Sequence, residues 1–176
     1  MKTNTAIAAP VARPSAETNN ETVPALLHIR SVLVPLDFSP SSEKALAYAV
    51  AFARQFGAKL TLLHVVEPLA APDFAGSFAW MMENDKVTVE CQRHLDRVLR
   101  DLAIEPTLVE KVLVRHGRSF HEIADAARTL KADLIILSTR GYTGLKHAML
   151  GSTTERVVRH APCPVLVVRE HEHEFV

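Results

Sequence analysis

Five short aliphatic runs punctuate the chain: SVLVPLD, KLTLLHVVE, TLVEKVLVR, DLIILS and PVLVVRE. They are continuous rather than alternating, the pattern of strands buried on both faces. Segments with helical spacing separate them. FSPSSEKALAYAVAFARQFG reads as a helix with Ser39 as N-cap, Pro40 at the first helical position and Gly57 as the C-terminal stop. Leu46, Ala49, Val50, Ala53 and Phe56 form its apolar face. A long helix is predicted from about Phe78 to Leu102, with Val87, Cys91, Leu95, Val98 and Leu102 at helical spacing. GRSFHEIADAARTLKA and TTERVVRHA supply two more helices, and Ser119–Glu122 and Ser152–Glu155 match capping boxes. Strand and helix alternate throughout, which predicts an α/β fold with a parallel sheet and right-handed crossovers.

Bulk properties narrow the function. The chain has 176 residues, enough for one domain with a proper core. Hydrophobic residues make up 48% and charged residues 23%, ordinary for a globular protein. Lys plus Arg equals Asp plus Glu, so no basic field argues for nucleic acid. No apolar run approaches the length of a membrane span. The two cysteines, Cys91 and Cys163, form no CxxC pair and suit a reducing compartment, so the expected location is the cytoplasm. Residues 1–27 lack periodicity and read as a mobile extension. Residues 28–170 form the domain, and 171–176 a mobile tail. The tail's His171 and His173 are more simply a solvated segment than a zinc site.

In parallel α/β sheets ligands sit beyond the carboxyl ends of the strands, where strand order reverses. That rule singles out Leu36 and Asp37 after the first run, Val65 to Glu67 after the second, and Ser138 to Gly141 after the fourth. The stretch STRGYTGLKHAMLGSTTE follows the fourth run. Its glycines permit close backbone approach, and Ser152 and Thr153 open a helix whose free N–H groups attract anions. A phosphate cradle is one reading of this stretch. A loop that only turns and caps is the other. No GxxxxGK[ST], GxGxxG or GxSxG motif is present.

The segments VLVPLDFSPSSEKALAYAVAFARQFGAKLTLLHVVEP and ADLIILSTRGYTGLKHAMLGSTTERVVRHAPCPVLVV, in that order, resemble the universal stress protein family over about residues 29–169. The resemblance implies a Rossmann-like, five-stranded parallel sheet of order 3-2-1-4-5 with helices on both faces. It also implies a homodimer formed through the last strand, residues 164–168. Nucleotide-binding members carry G-x2-G-x9-G-[ST]. Gly141 aligns with its second glycine, Gly151 with its third and Ser152 with its final position, while Ser138 stands where the first glycine belongs.

Carried over by position, Asp37 would contact the ribose or adenine, and Leu36 and Val65 would frame the adenine. Leu137, Ser138, Arg140 and Gly141 would line ribose and phosphates, with Gly151, Ser152 and Thr153 on the phosphates. The implied ligand is ATP or a related adenine nucleotide, with Mg²⁺ on its phosphates, and the implied role is a stress-response sensor or signalling module. Turnover would be at most slow hydrolysis or autophosphorylation, because no catalytic base can be named. Asp37 also reads as a turn or cap residue before Ser39, and Arg140 as a solvated charge. Ser138 favours a different function, a nucleotide-free dimeric scaffold or stress-protective interaction protein. Among the histidines, His64 is expected to be a satisfied core residue and His160 to complement a helix C-terminus.

Overall fold

All five apolar runs form strands. The computed structural model describes residues 28–67, 77–139 and 150–169. In chain order these are β1 (Ser31–Pro35), α1 (Pro40–Phe56), β2 (Lys59–Val66), α2 (Ser77–Asp101), β3 (Val109–His116), α3 (Ser119–Leu130), β4 (Leu134–Ser138), α4 (Ser152–His160) and β5 (Val165–Val168). A 3-10 turn, Pro106–Leu108, leads into β3. The sheet order is β3-β2-β1-β4-β5, and every pairing is parallel.

Residue alternation divides the core between two faces. Val32, Val34, Leu60, Leu62, Leu134 and Ile136 pack with Leu46, Ala49 and Ala53 of α1 and Leu95 and Val98 of α2. Leu33, Leu63, Ile135 and Leu137 pack with Ile123, Ala126 and Ala127 of α3 and Val157 of α4. Helices therefore cover both faces. The central strands β1 and β4 are buried along most of their length, whereas the edge strand β3 is only half-buried with exposed Glu110 and Lys111.

Helix α1 begins and ends as its sequence dictates. The Ser39 hydroxyl accepts from the Ser42 amide at 3.2 Å, Pro40 opens the first turn, and Gly57 closes the helix at φ 66°. Phe56 departs from its expected core position: it lies in the last turn and is 38% exposed. Val87 is likewise exposed on α2, and Leu102 falls just past its end and is exposed. Long amphipathic helices outrun the sheet they cover, so spacing alone overstates how far their apolar stripe is buried.

Both predicted capping boxes are absent. Helix α3 is capped at Arg118, and α4 at Gly151, neither through a side chain of its own. Glu122 instead pairs with Arg115 at 3.5 Å, and Glu155 with Arg159 at 2.9 Å. The first amide of α3, Ser119, donates to the carboxylate of Glu67 at 2.8 Å, from the end of β2.

Candidate functional site

The chain leaves β1 toward β2 and returns from β3 to β4 on the other side of β1. Order reverses between β1 and β4, so their carboxyl ends cannot be bridged by a short loop and a crevice opens there. A cleft of about 150 Å³ occupies this position. Leu36, Asp37, Val65, Leu137, Ser138, Gly151, Ser152 and Thr153 all line it. Arg140 and Gly141, with the rest of 140–149, lie outside the described residues, as do 1–27, 68–76 and the C-terminal 170–176.

The cleft is lined by both apolar and polar groups. Leu63 and Val65 of β2, Ile123 of α3 and Leu137 of β4 are among the apolar ones. Asp37, Ser42, Ser119, Ser138, Ser152, Thr153 and Thr154 supply polar groups. Asp37 is the sole charged side chain among the described lining residues. A flat apolar body with a polar, hydrogen-bonding edge matches such a lining.

Asp37 sits in the sharp turn between β1 and α1. Its Oδ1 accepts from the Ser39 hydroxyl at 2.6 Å and from the Ser39 amide at 3.1 Å. The turn reading of Asp37 is thus correct, with Ser39 as the cap, and Asp37 at the same time lines the cleft. The two sequence readings do not compete, because a carboxylate has lone pairs for several donors. Leu36, just before it, extends the sheet by donating its amide to Leu63 O at 2.8 Å.

The opposite wall is the start of α4. Glu155 N donates to Gly151 O at 2.9 Å, the first bond of the helix. The amides of Ser152, Thr153 and Thr154 precede that bond and have no carbonyl within the helix to reach. They stand at the cleft with the positive end of the helix dipole. This wall is fastened to β4: the buried Thr154 hydroxyl donates to Ser138 O at 2.8 Å, and Gly151 N to Thr139 O at 2.7 Å. The described residues on either side of the segment 140–149 are therefore joined to each other, beside the cleft-lining Ser138 and Gly151.

Several residues here were not legible beforehand. Ser42 reaches the cleft from the first turn of α1, and Ser119 and Ile123 reach it from α3. Glu67, on the list of strand-end positions, turns out to hold Ser119 in place. Its carboxyl lies below the usual range, chiefly because the Ser119 side chain and amide donate to it. His64 is half-buried and bonded: its Nδ1 lies 2.8 Å from Leu36 O, so that nitrogen carries the proton. Burial holds its pKa below the ordinary value of 6.5. His160 donates from Nδ1 to Arg156 O in the last turn of α4, as its position suggested. Burial pushes the thiols of Cys91 and Cys163 up, so neither is primed as a nucleophile. Among the described residues no group of three or more His, Cys, Asp or Glu side chains could hold a metal ion. No described helix is long and apolar enough to cross a membrane.

The model of the universal stress protein family matches residues 28–169, from just before β1 to just after β5. The chain belongs to the universal stress protein family. A universal stress protein of Methanocaldococcus jannaschii is 32% identical over 145 residues, covering 82% of this chain and 85% of its own length. One from Thermus aquaticus is 36% identical over 141 residues, covering 80% of this chain and 98% of its own. Among solved structures, the universal stress protein UspA from Lactobacillus plantarum superposes with a TM-score of 0.69 at 27% identity, over 82% of this chain and all of its own. The family fold expected from the sequence, with its strand order, is the observed one.

Proposed function

We propose that this universal stress protein binds ATP or a related adenine nucleotide in the β1/β4 cleft. One observation carries the reading: apolar side chains, a carboxylate and the start of helix α4 with its main-chain donors line a single crevice. The apolar side chains of Leu63, Val65, Ile123 and Leu137 suit a flat heteroaromatic base. Asp37 accepts from sugar hydroxyls, and the α4 amides hold phosphate without a lysine. Arg140 and Gly141 complete the phosphate side. With no ready-made cluster of acidic ligands among the described residues, Mg²⁺ would be held mainly by phosphate oxygens and water, as this ion favours. Universal stress proteins of the same fold have been solved with cAMP and, from Archaeoglobus fulgidus, with dAMP; at 23% and 20% identity that likeness concerns the fold alone.

Bound nucleotide would favour one conformation or partner state, making the protein a sensor rather than a fast enzyme. Asp37 is the one described lining group able to act as a base, and it is engaged with Ser39. A second reading, a nucleotide-free dimeric scaffold, is favoured by Ser138, which places a Cβ on the cleft wall where the nucleotide-binding pattern has glycine. Calorimetry with ATP and Mg²⁺ separates the two. Saturable binding supports the switch, and no heat at millimolar ATP leaves the scaffold. Mass analysis of small molecules released from natively purified, then denatured, protein identifies the nucleotide.

A further inference from the structure

Phe38, next to Asp37, has φ 63°. A bulky residue in the left-handed region is an outlier that persists only where its surroundings over-determine it. Besides its packing against the core, two histidine rings hold Phe38. His94 of α2 stacks on one side of Phe38 at 4.0 Å between centroids, with 1° between the planes. His64 of β2 stacks against Phe38 at 4.3 Å and 27°. His64 also donates to Leu36 O, in the segment that lines the cleft. We propose that the His94–Phe38–His64 stack is a clamp that positions Asp37 and Leu36 for the ligand, and that through it the state of the cleft is coupled to helix α2.

The chemistry suits a clamp. His64 is neutral in this setting, because burial disfavours its charged form. The titratable groups that face it are Asp37 from the turn, His94 from α2 and His116 from β3. His116 also lies 2.8 Å, through Nε2, from the Thr88 hydroxyl, a second tie between α2 and the sheet. A turn that would relax toward negative φ is thus fixed from β2 on one side and from α2 on the other. Phe38, His64 and His94 are positioning residues: they act on the ligand only through Asp37 and Leu36. Linkage makes the effect reciprocal, so whatever fixes the turn also fixes α2 against it.

The inference rests on the nucleotide reading for its ligand, but the clamp can be tested without one. Amide exchange is followed by mass spectrometry on the full chain and on three variants, F38G, H94A and H94F, with and without ATP and Mg²⁺. Glycine tolerates φ 63°, so F38G removes the ring without adding strain. F38G and H94A should speed exchange across Leu36–Ser39 and weaken ATP binding, each about tenfold, while exchange in β4 is unchanged. H94F, which can still stack, should keep the unmodified protein's values. ATP should slow exchange around His94 in the unmodified protein and not in F38G.

Unchanged exchange of Leu36–Ser39 in both F38G and H94A overturns the clamp, whatever the nucleotide does. H94F behaving like H94A overturns the role of stacking. Faster exchange in the variants, with no ATP binding by the unmodified protein, upholds the clamp and overturns the nucleotide reading and the coupling built on it.

Discussion

Asp37 does two things with one carboxylate. It orders the β1–α1 turn by accepting from Ser39, and it presents charge to the cleft. Asparagine keeps an acceptor oxygen for Ser39 and loses the charge. D37N should therefore fold normally yet bind ATP about 30-fold more weakly, or about 2 kcal/mol, within the range typical of a hydrogen bond to a charged group. Calorimetry beside a thermal melt checks this, and an unchanged Kd would strike Asp37 from the ligand's partners. His64 makes a separate prediction. Its folded pKa is depressed, so the unfolded chain binds the proton more readily. Its contribution to stability is present above about pH 6.5 and is lost as the pH falls from there through the folded value. The melting temperature should decline over that window in the unmodified protein. The decline should shrink in His64→Gln, which has a donor for Leu36 O and nothing to titrate; equal declines would place the acid sensitivity elsewhere.

Helix ends show where a local signal suffices and where it does not. The limits of α1 were legible because Ser39, Pro40 and Gly57 act within a turn of their own helix. The start of α3 was misread because its acceptor, Glu67, lies 52 residues away just past the end of β2, a partner no local pattern reveals. E67A should leave the Ser119 amide without its carboxylate and cost about 1 kcal/mol, in the range of a lost N-cap. Since the Glu67 carboxyl is held below its usual value, that stabilisation is present above about pH 4.5 and fades as the pH falls through the folded value. Melts of both proteins at neutral and acidic pH should therefore converge toward the acid end, and a constant gap would argue that Glu67 acts by packing rather than by charge. The cleft was legible to a similar degree. Leu36, Asp37, Val65 and Ser138 follow from the rule that strand ends build sites, whereas Ser42, Ser119 and Thr154 enter it only through the way helices cross the sheet. Strand order came from the family resemblance and not from periodicity, which says nothing of neighbours.

The two edges of the sheet are unlike, and that difference bears on assembly. Strand β3 carries exposed Glu110 and Lys111, charges of the kind that discourage edge-to-edge pairing. Strand β5 is VLVV, half-buried and without charge, and its one neighbour among the described strands is β4. Pro164 and Val168 turn their carbonyls to β4, accepting from Ile135 N at 3.0 Å and Thr139 N at 2.9 Å. By strand alternation Val165 and Val167 turn their backbone groups to the open edge. A second copy pairing there would satisfy those groups and cover the apolar strand with a two-fold interface. Val167→Pro removes an outward N–H and leaves the β4 ladder intact, a position where a strand tolerates proline. Light scattering at micromolar concentration should give a dimer for the unmodified protein and a monomer for V167P, with ATP affinity retained because the β1/β4 cleft lies one strand away. A monomeric unmodified protein would rule out pairing through β5, and a dimeric V167P with an intact melt would move the interface to another surface.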